Sequence, residues 1–203
     1  MSINNLELIK PLLNFKSDDD YYFLQIIQRK KDHNKNVSGS NNNNRLIRPY
    51  YVGSIDYLEF IMPEVIQLSD MFVARAGIDL NKRSWERSAF HCLKKMSDQI
   101  MNKDYKNVHR AYSKIAGMYS NEDNKKWILD IDYKISRKDL SNLIASLTDI
   151  DPVGGKYLAV VPSNSGTHLI TSPFNIKQAD KLLKKYDVEV HKRNPTNLYI
   201  PTL

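Results

Sequence analysis

The chain has 203 residues, 41% of them apolar and 26% charged, and its 30 lysines and arginines against 23 aspartates and glutamates give a formal net charge of +7. This balance excludes a disordered chain too poor in apolar residues to collapse, and no apolar run approaches the roughly 20 residues that a membrane-spanning helix needs. The lone cysteine, Cys92, has no internal disulfide partner, and the first five residues lack the basic-then-apolar layout of a secretory signal, so a reducing cytoplasm is the expected compartment.

A chain of this length is expected to form one domain over residues 1–203, with a hairpin-and-helix part at 1–120 and a second part at 125–203. The excess of positive charge favours a polyanionic partner through phosphate contacts and counterion release.

In chain order, Ile3, Leu6, Leu8, Ile9, Leu12, Leu13 and Phe15 predict a short helix broken at Pro11, or an arm packed on the core. Asp18, Asp19 and Asp20 then read as a solvated turn rather than as metal ligands. Residues 21–29 are aromatic and β-branched, and with 45–52 they predict a hairpin joined by a polar, Asn-rich loop at 32–44. Ser54 is placed to cap a helix bearing Ile55, Leu58, Ile61, Met62, Val65 and Ile66 on one side, with Pro63 expected to kink or divide it. A strand is predicted over 72–80, followed by a basic turn at Asn81, Lys82 and Arg83. Ser84 then caps an amphipathic helix whose Trp85, Ala89, Leu93, Met96 and Ile100 recur at core spacing. A further helix is predicted over 105–119, with Val108, Ala111, Tyr112, Ile115 and Met118 facing inward, and residues 120–125 read as a polar connection. His91 and His109 have no Cys or His partner at ligand spacing and read as structural or surface residues.

The second part predicts a strand ending at Asp132 and a helix capped by Ser136 that carries Leu140, Leu143, Ile144 and Leu147. Strands follow at 157–161 and up to Thr171, then a helix capped by Asn175, then strands at 188–190 and 198–200. The fold class is therefore α+β: a mixed, mainly antiparallel sheet whose β-α-β-β-α-β order is compatible with an RRM-like palm flanked by helices on one face.

Two motifs in this part carry chemistry. In an extended chain Asp130 and Asp132 share a face while Leu129 and Ile131 point into a core. Two acids on one face repel, and a cation between them relieves the repulsion; hard oxygen donors suit Mg²⁺ or Mn²⁺. The alternative is a solvated face, or pairing with Lys125 and Lys134. The second motif is the small polar turn Ser163, Asn164, Ser165, Gly166, Thr167, which offers backbone N–H groups and hydroxyls to an anion, followed by His168 as a donor to a phosphate oxygen. A buried His168 satisfied by a backbone carbonyl is the alternative. One βαβ unit separates the motifs, which allows them to meet on adjacent strands.

Glu189 alternates with Val188 and Val190 and so lies on one sheet face. Arg75 sits within an apolar strand, where an unpaired guanidinium is costly to bury; it either pairs with a site carboxylate, reaches a triphosphate, or lies on the surface. Lys192 and Arg193 either steer a phosphate backbone or form a solvated turn.

Taken in order, Asp130-Ile131-Asp132, then Pro162-Ser163-x-Ser165-Gly166-x-His168-Leu169-Ile170, then Val188-Glu189-Val190 followed by residues 197–201, resemble the catalytic core of archaeo-eukaryotic-type primases, including phage and plasmid primase-polymerases. The resemblance spans about residues 125–201. It implies that Asp130, Asp132 and a later carboxylate, by position Glu189 where the family usually has Asp, hold Mg²⁺ or Mn²⁺. It also implies that His168 and the 163–167 turn grip the phosphates of an NTP or dNTP. The implied activity is metal-dependent nucleotidyl transfer onto DNA or RNA, with primer synthesis the family's best-known role. No zinc-binding Cys cluster or helicase segment accompanies the core, so partner replication proteins are expected and a membrane is not. Two alternatives stay open: a non-catalytic nucleic-acid-binding protein with a degenerate primase-like fold, and a metal-dependent nuclease.

Overall fold

A computed structural model describes residues 2–29, 44–118, 125–193 and 195–202. The polar loop expected at 32–44 lies outside these residues except for Asn44, as does most of the 120–125 connection. The strands are β1 (Ile3–Asn4), β2 (Asp20–Gln28), β3 (Arg45–Val52), β4 (Arg75–Ile78), β5 (Arg83–Ser84), β6 (Trp127–Ile131), β7 (Tyr157–Pro162), β8 (Thr167–Thr171), β9 (Glu189–His191) and β10 (Thr196–Ile200). The helices are α1 (Leu6–Ile9), α2 (Ile55–Phe72), α3 (Trp85–Met101), α4 (Ala111–Met118), α5 (Arg137–Thr148) and α6 (Ile176–Lys185), and the fold is α+β. None of the described helices is long and apolar enough to cross a membrane.

The first sheet is antiparallel, in the order β1-β10-β4-β2-β3 with β5 beside β2. Its centre is β2, whose Tyr22, Leu24 and Ile26 alternate onto one face and pack with Leu58, Ile61, Met62 and Val65 of α2. The side chain of Ser54 accepts from the Tyr57 N–H, as a cap should. The helix is continuous through Pro63, which therefore does not divide it. Pro63 and Glu59, whose carbonyl a proline at 63 leaves without its helical partner, both lie on the exposed side, while Met62 and Val65 are buried against the sheet. That helix runs on to Phe72, so the strand expected over 72–80 shrinks to β4.

The second sheet has the order β7-β8-β6-β9, with every neighbour antiparallel. A β-α-β-β-α-β chain with its first and third strands in the middle is the RRM-like, ferredoxin-like arrangement. Leu129, Ile131 and Leu169 face α5 and α6 and bury Leu143, Leu147, Ala179 and Leu183. On the opposite face Ile128, Val161 and Ile170 join the core of the first sheet. The last strand, β10, leaves this unit and inserts between β1 and β4, which stitches the two sheets together. Two amides reinforce the seam. Asn5 Nδ2 donates to the carbonyls of Pro162 and Asn197 (2.9 and 2.8 Å), and Asn81 exchanges two hydrogen bonds with the Lys126 backbone (2.9 and 2.7 Å).

Four expectations change here. Asp20 is not in a solvated turn; it is buried at the start of β2, where it accepts from Lys82 Nζ at 2.7 Å and from the Lys16 and Ser17 N–H groups. The expected basic turn is likewise buried, with Arg83 Nη2 2.7 Å from Asp79 Oδ2. Helix α3 is rotated about its axis relative to the predicted stripe: Ser88 and Gln99 are buried, Trp85, Cys92 and Met96 are half-buried, and Ala89, Leu93 and Ile100 are exposed. The rotation is set by Tyr21, which stacks on Trp85 (centroids 4.1 Å apart) and hydrogen-bonds Ser88 Oγ at 2.8 Å. The predicted 105–119 helix opens as a 3-10 turn over Tyr105–Arg110 before α4, which buries Ala111 and Ile115 and sets Tyr112 edge-on to Tyr51.

Candidate active site

Strand β6 places Asp130 directly opposite His168 on β8 and Glu189 on β9. Directly opposed residues of antiparallel strands share a face, so these three form a row across the sheet on the side away from α5 and α6. Asp132 lies just past the end of β6, and Ser165 Oγ donates to its Oδ1 at 3.4 Å. The two motifs are held together by Gly166, where an added Cβ would stand 1.8 Å from the Ile131 carbonyl oxygen and 2.7 Å from the Tyr133 nitrogen. Only glycine lets the turn seat against the backbone that presents Asp132.

The turn itself is less open to an anion than its composition implies. The Gly166 N–H donates to Ser163 Oγ and the Ser163 N–H donates to the Gly166 carbonyl, each at 3.1 Å. Ser163 and Gly166 therefore shape the turn, and Ser165 serves Asp132. Thr167 pairs opposite Ile131, on the helix side of the sheet, and not beside Asp130.

His168 is 8% exposed. Its Nε2 is 3.4 Å from Asp130 Oδ1, and its Nδ1 is 2.9 Å from Thr196 Oγ1, so a side chain from β10 rather than a backbone carbonyl holds the ring. Burial pushes its pKa down; the Asp130 and Asp132 carboxylates pull it up, while His191 and Arg29 push it down, and the balance lies below the ordinary imidazole value. His168 is thus neutral near pH 7. Nε2 faces the Asp130 carboxylate, which calls for a proton there, and also the Asn197 amide nitrogen, which calls for an acceptor, so each neutral tautomer has a partner and the Thr196 hydroxyl accepts from or donates to Nδ1 accordingly.

Glu189 does not join Asp130 and Asp132 as a third ligand. Its side chain is 81% exposed and turns its Oε2 toward His191 Nε2, 3.5 Å away. Among the described residues no three acids, histidines or cysteines are gathered to hold a metal ion. His191, which the sequence reading passed over, is the side chain that faces the row, with Nε2 3.7 Å from Asp130 Oδ2. Its parity with Glu189 on β9 was the available signal. Among the described residues Asp130 meets imidazoles and no lysine.

Asp130 does fit a cation. Its Oδ1 is buried without a hydrogen-bond partner, and a divalent ion satisfies such an oxygen. Mg²⁺ commonly takes one or two carboxylates together with waters and substrate phosphates instead of an all-protein cage. Asp130 with Asp132 meets that description; Glu189 does not.

Beside the row lies a cavity of about 190 Å³ whose lining includes Gln25, Arg29, Arg75, Gly77 and Asn197. Asn197 Nδ2 is 3.4 Å from His168 Nε2, which makes this side chain the link between cavity and row. Gly77 forms a bare backbone floor, since a Cβ there would meet Pro195 at 3.1 Å. Lys192 is elsewhere, on the helix side, with its ammonium 4.8 Å from the Trp127 ring centroid. Arg193 is exposed on the connection from β9 to β10.

Together these features define an α+β protein in which an acid-and-imidazole row on an RRM-like sheet adjoins a cavity carrying two guanidinium groups. No family model matches the chain, and no curated protein or solved structure is significantly similar to it.

Proposed function

We propose that this protein is a metal-dependent nucleotidyltransferase of the primase-polymerase kind, adding nucleotides from NTPs or dNTPs to DNA or RNA, alongside partner replication proteins. The observation that carries the reading is the meeting of two sequence motifs: Asp130 and His168 are cross-strand partners, and Asn197 joins them to a cavity containing Arg29 and Arg75.

Guanidinium groups are suited to polyphosphate, which they bind with paired, charge-assisted hydrogen bonds. A triphosphate seated against Arg29 and Arg75 has its reacting end directed toward His168 and Asp130. His168, in the tautomer that carries its proton on Nε2, donates to a phosphate oxygen. Asp130 with Asp132 is the place for Mg²⁺ or Mn²⁺, which supplies charge neutralisation for the triphosphate. No covalent nucleophile is needed, and half-buried Cys92 lies on α3, away from the row.

The test is nucleotide incorporation with Mn²⁺ or Mg²⁺ on primed and bare templates. Asp130→Ala is expected to abolish it while leaving the circular dichroism spectrum unchanged. Incorporation by the variant at the native rate removes Asp130 from the chemistry. Degradation of the template without any nucleotide replaces the reading with a nuclease, and template binding with neither reaction replaces it with a non-catalytic nucleic-acid-binding protein.

A further inference from the structure

We infer that His191 is a positioning residue of this site, acting on Asp130 from the same strand that carries Glu189; the inference rests on the nucleotidyl-transfer reading above. The two oxygens of Asp130 face two different imidazoles, Oδ1 toward His168 on β8 at 3.4 Å and Oδ2 toward His191 on β9 at 3.7 Å. The carboxylate is flanked on both sides by rings carried on the two strands that sandwich β6. His191 reaches it diagonally, since its direct partner across the ladder is Ile128, and diagonal neighbours on one sheet face lie within reach of a long side chain.

These separations exceed a formed hydrogen bond by a few tenths of an ångström. Contacts of this kind in a free enzyme commonly tighten when substrate is bound. A divalent cation held at Asp130 Oδ1 would leave Oδ2 for the His191 N–H, which would then fix the plane of the carboxylate. Glu189 Oε2, 3.5 Å from His191 Nε2 and itself 81% exposed, is open to water and acts on Asp130 only through that ring. A shift of Asp130 by a fraction of an ångström slows the chemical step far more than it weakens nucleotide binding, because the two guanidinium contacts are made from the other sheet.

The experiment compares kcat and KM for nucleotide incorporation by the full chain and by His191→Ala, His191→Gln, His191→Asn and Glu189→Ala, with thermal melting to confirm folding. His191→Ala is expected to lower kcat about 10- to 100-fold, the usual size for loss of a group that orients a reactive ligand, with KM within about twofold. His191→Gln, whose amide nitrogen reaches the place of Nε2, is expected to return to within about threefold of the native kcat, whereas the shorter His191→Asn does not. Glu189→Ala is expected to change kcat by less than about threefold.

A native kcat in His191→Ala overturns the inference, as does an equal loss in the Gln and Ala variants or a larger loss in Glu189→Ala. If His191→Ala fails to fold, the Gln and Asn pair carries the same comparison. Overturned in any of these ways, the inference falls while the nucleotidyl-transfer reading stands; an inactive native chain removes both.

Discussion

Gly166 lies so close to the Ile131 carbonyl that a Cβ on it would stand 1.8 Å from that oxygen. The obstructing atoms belong to the backbone of β6 and cannot rotate away, so an added methyl must push the turn off the strand. Gly166→Ala is expected to cost at least the roughly 1–3 kcal/mol typical of overpacking, read from the midpoint of urea denaturation. Ser165 is then carried away from Asp132, and incorporation should fall with it. A variant with an unchanged midpoint and full activity would show that the turn is free to move.

What was legible in the chain was local. Ser54, Ser84, Ser136 and Asn175 each cap the helix that follows, since a cap needs only its own next three residues. The alternation of Leu129, Asp130 and Ile131 likewise put the acid on the correct face. The misread features depend on partners distant in sequence. Asp20 reads as a surface acid until Lys82 is folded against it, and the rotation of α3 is decided by Tyr21 on β2. His191 shares its strand face with Glu189, and that parity gains meaning only because β9 is seated beside β6. The place of β10 between β1 and β4 likewise depends on strands distant in sequence.

The Asp20 and Lys82 pair makes stability fall in acid. Burial alone would push the Asp20 carboxyl up, but the Lys82 ammonium and the Lys16 and Ser17 N–H groups outweigh it and hold the group below the usual carboxylate range. The unfolded chain therefore binds more protons than the folded one just below about pH 4. The pair's contribution is complete above that value and declines as pH falls through the folded-state pKa. Asp20→Asn is expected to lose about 3–5 kcal/mol at pH 7, because it breaks a buried ion pair by neutralising one member. The native chain should lose stability relative to this variant as the medium is acidified below pH 4. Parallel stability curves for the two proteins between pH 6 and pH 3 would contradict the assignment.

Substrate affinity should reside in the cavity, apart from the acid row. Arg29→Gln and Arg75→Gln each keep a polar side chain of similar reach while removing a charge from the lining. Each is expected to raise KM for the nucleotide by about 5- to 50-fold, corresponding to the roughly 1–2 kcal/mol of a charge-assisted contact, with a smaller effect on kcat. Inorganic tripolyphosphate should inhibit incorporation by the native chain competitively and that by the two variants less well. An unchanged KM in both variants would place the triphosphate outside this cavity.

The rotation of α3 separates two substitutions that the helical pattern alone would rank the other way. Leu93 belongs to the apolar stripe of the sequence yet is 61% exposed, whereas Ser88 is buried and hydrogen-bonded to Tyr21. Leu93→Gln removes little buried surface and should change stability by less than about 0.5 kcal/mol. Ser88→Leu forces three more carbons against the Tyr21 ring and deprives its hydroxyl of a partner, and it should cost about 2–4 kcal/mol. Thermal melting of both variants against the native chain decides the matter. If Leu93→Gln were the more damaging, the helix would have to present its Leu93 stripe inward, and the Tyr21 to Trp85 stack could not be what orients it.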